Sequence, residues 1–123
     1  MMKKREQASK NLKYPNPLVI SVDFDRVLHD IDHPIEGKRM GPPINNAPEF
    51  MKVLSERGFV LDVYTLHPGQ EVRDWLDYYK IPYHTVSNIK PDAILYIDDK
   101  GYRFKEWSPQ MIKEIYGLLE IDK

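Results

Sequence analysis

Leu18-Val-Ile-Ser-Val22 runs straight into Asp23-Phe-Asp25, and that junction decides the fold. Three of the first five residues are β-branched and four are apolar, the pattern of a strand buried on both faces. Tyr14-Pro-Asn-Pro17 precedes them and breaks any helix before the strand begins. A buried strand that ends abruptly in two carboxylates is the usual edge of an α/β ligand site, since ligands bind outside the carboxyl ends of the strands where the strand order switches.

Working outward, the same arrangement recurs. Phe59-Val-Leu-Asp-Val-Tyr64 reads as a second strand closing at Thr65, Tyr83 to Val86 as a short third, and Ala93-Ile-Leu-Tyr-Ile97 as a fourth closing at Asp98-Asp99. A brief strand is expected near Tyr102–Phe104. Between them, Asn45 or Asn46 starts a helix through Phe50, Val53 and Leu54 that stops at Gly58. His67-Pro-Gly69 is a turn, followed by a helix through Val72, Trp75, Leu76 and Tyr79 that ends at Ile81-Pro82. Ser108-Pro109 has the cap-then-proline signature of a last helix, with Met111, Ile112, Ile115, Leu118 and Leu119 on its apolar face. His29 to Pro43 reads as an irregular loop. Strands alternating with helices predict an α/β, three-layer Rossmann-like fold, with a central, mostly parallel sheet and helices on both faces.

The 123 residues fit one domain over 16–123, preceded by a polar, frayed segment over 1–15 that includes Lys3, Lys4 and Arg5. There is no cysteine, which excludes disulfides and thiolate metal sites. No apolar run is long enough to cross a bilayer and the start carries no signal-peptide pattern, so a cytoplasmic protein without a membrane partner is expected. The formal charge of −1 argues against a protein built around a nucleic-acid backbone, while leaving a nucleic-acid end open as a substrate. Tyr78, Tyr79, Tyr83 and Trp107 are read as exposed aromatics that offer an oligomer interface.

Asp23, Asp25, Thr65, Asp98 and Asp99 all stand at strand ends. If those strands are neighbours, four carboxylates and a hydroxyl converge, and their mutual repulsion calls for a divalent cation. An all-oxygen set of this kind suits Mg²⁺. Asp23 and Asp25 are two apart, so in an extended segment both point the same way. One can attack phosphorus and the other can carry a proton. Lys90, just before Pro91 and the fourth strand, is placed to brace the attacking carboxylate and offset phosphoryl charge.

Taken together, these pieces resemble the four ordered motifs of the haloacid dehalogenase superfamily. Val19-Ile-Ser-Val-Asp23-Phe-Asp25-Arg-Val27 is similar to motif one, Thr65 to motif two, Lys90 to motif three, and Tyr96-Ile-Asp98-Asp99 to the double-aspartate form of motif four. The resemblance implies a magnesium-dependent hydrolase of phosphate monoesters working through an aspartyl-phosphate. Asp23 would be nucleophile and metal ligand, and Asp25 general acid and base with its carbonyl on Mg²⁺. Thr65 and Lys90 would hold the phosphoryl group. Asp98 and Asp99 would complete the metal shell, with Asp99 favoured for the direct contact. The chain departs from the pattern at Arg26, where the family usually has glycine, and at His67, where small members often carry arginine. Arg26 either points into solvent, helps to bind phosphate or marks a loss of activity; His67 is either a substrate contact or a surface histidine. The intervals that hold cap domains in the family are short here, so no cap is expected. The substrate would then be a small or macromolecular phosphate ester reaching an open site. A second reading, fed by Arg26, is a weak or inactive relative that binds phosphate, metal or a protein. A receiver-like domain fits less well, because its phosphorylated aspartate stands alone on a middle strand.

Overall fold

The structure is a computed structural model that describes residues 18–98, 102–103 and 106–119. Asp99, Phe104 and the 1–15 segment of the sequence reading lie outside the described residues. Five strands, β1 (Val19–Asp23), β2 (Val60–Tyr64), β3 (Thr85–Ser87), β4 (Leu95–Asp98) and β5 (Tyr102–Arg103), form one sheet in the order β3-β2-β1-β4-β5. Every pairing in it is parallel. Three helices accompany it: α1 (Ala47–Glu56), α2 (Gly69–Tyr78) and α3 (Pro109–Leu119). The architecture is α/β and Rossmann-like, as the alternation of strands and helices predicts.

The chain steps outward from β1 to β2 and β3, then returns past β1 to place β4 on its other side. The switch in strand order therefore lies between β1 and β4, the position where an open α/β sheet leaves a crevice.

In a parallel pair, residues in register project to the same face. Ile20 is level with Leu61 and Leu95, and Val22 with Val63 and Ile97, so one face is wholly aliphatic at those positions. The other face carries Ser21 level with Asp62 and Tyr96, and Asp62 level with Thr85. The sequence pattern of β1 implies burial on two apolar faces; burial holds, since Ser21 is 2% exposed, but the second face is polar. Asp62 is 3% exposed there, and one of its oxygens accepts from the hydroxyls of Thr85 and Ser87. The Oγ of Ser21 and the other oxygen of Asp62 are buried without a partner among the described residues.

The helices form where the apolar spacing demands. Ala47, Met51 and Leu54 are the buried stripe of α1, and Val72, Trp75 and Leu76 that of α2. Each fully buried aliphatic of this kind contributes about 1.5–3 kcal/mol. Asn46 stands at the start of α1 but does not cap it; its φ is 70° and its amide reaches the carbonyl of Trp107 at 3.4 Å. Ser108 does act as expected, accepting the N–H of Met111 at 3.2 Å at the head of α3. Phe50 stacks on Trp107 at 6.4 Å and Arg57 lies over the Tyr116 ring at 5.3 Å, which joins α1 to α3.

One correction concerns the aromatics. Tyr78 is 75% exposed, but Trp107 is 2% exposed and belongs to the core, where its indole N–H donates to the carbonyl of Val27 at 3.0 Å. The residue flanks a helix start in sequence and reads as surface, yet a long-range backbone acceptor buries it. No helix among the described residues is long and apolar enough to cross a membrane.

Candidate functional site

Asp23 closes β1 and Asp98 closes β4, and the register of these neighbouring strands sets both carboxylates at the carboxyl end of the polar face. Lys90 reaches them from the connection between β3 and β4. Its ammonium lies 3.4 Å from Asp23 Oδ1 and pairs with Asp98 Oδ2. Its charged end also lies 5.1 Å from the centre of the Tyr64 ring and 5.9 Å from that of Tyr96. The hydroxyl of Tyr96 in turn donates to the carbonyl of Pro91 at 2.6 Å and accepts from the Ala93 N–H at 3.2 Å, which fixes the turn carrying Lys90. Asp98 is 3% exposed, so its charge depends on this partner. Burial alone would lower the Lys90 pKa, but the hydrogen bond it donates to Asp98 and the charges of Asp23 and Asp98 outweigh it and hold the ammonium above its ordinary value.

Asp25 has different company. The chain leaves the sheet at Phe24, whose carbonyl accepts from both Leu28 and His29, and folds into a tight turn. Asp25 is therefore in that turn, not in the extended segment that the Asp-x-Asp spacing suggests. Its Oδ1 lies 2.8 Å from Nδ1 of His29 and its Oδ2 lies 2.9 Å from Nε2 of His67. His29 is 5% exposed and stacks on Phe24 at 4.9 Å. The N–H of Gly41 donates to its Nε2 at 2.9 Å. With Nε2 an acceptor, Nδ1 carries the proton in the neutral ring and donates it to Asp25.

Gly41 is itself constrained. A side chain there would bring a Cβ within 2.5 Å of the Asp30 carbonyl oxygen, so only glycine fits, and its own carbonyl accepts from the Trp75 indole at 2.9 Å. The loop that follows Asp25 is thus tied to α2 at its far end and to Asp25 through His29.

Asp25, His29 and His67 offer ligand atoms within 4.8 Å of one another, the spacing of a metal cluster. The hydrogen bonds argue against that use. A metal on Nδ1 of His29 would force the ring proton onto Nε2, pointing it at the Gly41 N–H. The oxygens that suit a hard cation better are the carboxylates of Asp23 and Asp98 beside Lys90.

Thr65 follows β2, 4% exposed, and its Oγ accepts the His67 N–H at 3.0 Å, which leaves the hydroxyl as a donor to a ligand. Thr65 to Gly69 and Val86 to Asn88 line a cavity of about 400 Å³ at the ends of β2 and β3. Arg26 does not join any of this. Its side chain is 68% exposed and pairs with Asp32 at 3.7 Å. Its φ is 71°, in the left-handed region, which explains why glycine suits the position.

The structure therefore gathers Asp23, Lys90 and Asp98 into one group and Asp25 with His67 into another, with Thr65 bonded to the backbone of His67. His29 is the functional residue that sequence reasoning missed. A histidine at the head of a loop rich in glycine and proline reads as surface; its one signal is the apolar pair Val27-Leu28 before it, both buried. Comparison with known families, curated proteins and solved structures finds no match to this chain.

Proposed function

We propose that the chain is a capless, magnesium-dependent phosphatase of the haloacid dehalogenase type that hydrolyses a phosphate monoester through an aspartyl-phosphate on Asp23. The observation that carries this reading is the Lys90 ammonium held between Asp23 and Asp98 at the switch in strand order. A nucleophilic carboxylate there has a fixed cation beside it to stabilise the charge that develops on a transferring phosphoryl group.

In this reading an oxygen of Asp23 attacks phosphorus and the P–O bond to the leaving group breaks. Asp25 gives its proton to the departing oxygen, then takes one from the water that attacks the aspartyl-phosphate, releasing phosphate and restoring the Asp23 carboxylate and the protonated Asp25. His29 lies 2.8 Å from Oδ1 and His67 Nε2 within 3.1 Å of both oxygens, so two imidazoles hold the acid–base carboxylate in place. Thr65 donates its hydroxyl to a phosphoryl oxygen. Mg²⁺, held by Asp23, Asp98, Asp99 and the Asp25 carbonyl, would supply charge neutralisation of the phosphate. The intervals that would house a cap hold a loop over 24–46 and, over 65–84, the single helix α2, which supports an open site.

The competing reading is a relative that binds phosphate or metal without turnover. Arg26 motivates it, but an arginine directed at solvent does not obstruct the carboxylates. Hydrolysis of an aryl phosphate with Mg²⁺, with chelator, and by Asp23→Asn separates the two. Turnover that requires both Mg²⁺ and Asp23 is expected. A folded protein with no activity across a panel of phosphate monoesters would favour the binding reading.

A further inference from the structure

The cavity beside Thr65 is lined from Thr65 to Gly69 and from Val86 to Asn88, and no lysine, arginine, aspartate or glutamate is among those residues. His67 is its one titratable member. The phosphoryl group is met by Lys90, so this neutral cavity is left for the rest of the substrate. The Arg73 guanidinium stands at its edge, beside Gly69.

The rim is apolar. Among the described residues the exposed large hydrophobics are Ile31, Leu66, Tyr78 and Ile89, and two of these four flank this cavity. Leu66 is 81% exposed on its wall and Ile89 is 77% exposed next to Asn88. The Thr65 N–H donates to the Ser87 carbonyl at 2.9 Å, which carries the β2–β3 pairing one residue beyond the strands. Continued two residues past Tyr64 and Ser87, that register matches Leu66 with Ile89. Two aliphatic side chains are too small a surface for a protein partner, which needs roughly 800 Å² from each side. They suit one ring-sized apolar body. Ser87 and Asn88 below them offer a hydroxyl and an amide to its polar edge.

We propose that Leu66 and Ile89 form the leaving-group wall of the site, selecting phosphate monoesters of alcohols that carry a flat or apolar body over small sugar phosphates. The proposal rests on the phosphatase reading for the position of the phosphate, and goes beyond it in naming the substrate class and the residues that choose it.

The test uses non-hydrolysable probes, so it does not depend on turnover. Phenylphosphonate and methylphosphonate are titrated calorimetrically into the full chain with Mg²⁺, beside the double variant Leu66→Ser, Ile89→Ser. Both residues are exposed, so the variant keeps the fold, which circular dichroism checks. Burying a phenyl ring against two aliphatics at about 25 cal/mol per Å² is enough for a preference of about tenfold for phenylphosphonate. That preference should fall to within about threefold in the variant, while methylphosphonate binds both proteins alike. Equal affinity for the two probes in the wild type, or a preference that survives in the variant, overturns the proposal and leaves the phosphatase reading standing. Failure of both probes to bind overturns it too, and hydrolysis of acetyl phosphate then shows whether the phosphatase reading falls with it.

Discussion

Asp23 and Asp25 are two residues apart and belong to one short motif, yet they live in different chemistry. Asp23 ends a strand and faces an ammonium shared with Asp98. Asp25 sits in a turn, between a buried histidine and a half-exposed one. A fixed cation favours a carboxylate that stays charged and attacks. Imidazole nitrogens, which can give or accept a proton, favour a carboxylate that trades one. The difference between the two roles comes from where the chain leaves the sheet, one residue after Asp23, and not from the residues themselves.

That contrast can be broken on either side. The largest effect is expected at Asp23→Asn, which keeps shape and removes the proposed nucleophile: turnover should fall by at least about a thousandfold, with an unchanged circular dichroism spectrum. Residual hydrolysis near the wild-type rate would take the nucleophile's role from Asp23. Next is Lys90→Met, which removes the ammonium beside the buried Asp98. A loss of about a hundredfold in kcat is expected from the missing charge, and urea unfolding should report a destabilisation of about 1–3 kcal/mol.

The Lys90 pair also has a pH signature. The folded pKa of Lys90 is raised, so its contribution is complete below the ordinary lysine value of about 10.4 and is lost as pH rises through the higher folded value. The stability gap between wild type and Lys90→Met should be constant from pH 7 to 9 and close only above about pH 10.5. A gap that already closes near neutrality would mean another group carries the effect.

On the other side, His29→Phe keeps an aromatic against Phe24 and removes both ring hydrogen bonds. The Gly41 N–H is then buried without an acceptor, a cost of about 1–3 kcal/mol in urea unfolding, and the acid–base step slows while the affinity for a phosphonate holds. If kcat does not change, His29 serves the loop alone. The smallest effect is expected at Arg26→Gly. It relieves a left-handed φ and should raise stability by about 1 kcal/mol, with activity within about twofold of wild type. A large gain in activity would mean that the arginine obstructs the site after all.

Much of this arrangement is legible in the residues, because the strand ends coincide with changes from apolar runs to carboxylates. β1 and β4 are each announced by such a change, and so are Asp23 and Asp98, while β2 is announced by its apolar run closing at Thr65. Lys90 is legible by its place ahead of β4. What is not legible depends on side chains that meet across the fold. His29 gains its role from Gly41, twelve residues on, and Trp107 from Val27, eighty residues away. The chemistry of a turn is also hidden: the alternation rule puts Asp25 level with Asp23 only if the strand continues, and it stops one residue too soon. Asp62 escapes notice for a similar reason, since an aspartate inside an apolar strand reads as an interruption until the register shows which face it shares.

That last residue has a consequence for how the sheet assembles. β3 is only three residues long and lies at the edge, where parallel pairing is easily misaligned. Thr85 and Ser87, two apart and on one face, both donate to the same oxygen of Asp62. A slip of one residue would turn both hydroxyls to the aliphatic side and set Val86 against a buried charge. Asp62 therefore works as a key cut for one alignment, making the misregistered sheet costly at the edge strand whose end supplies Ser87 and Asn88 to the cavity.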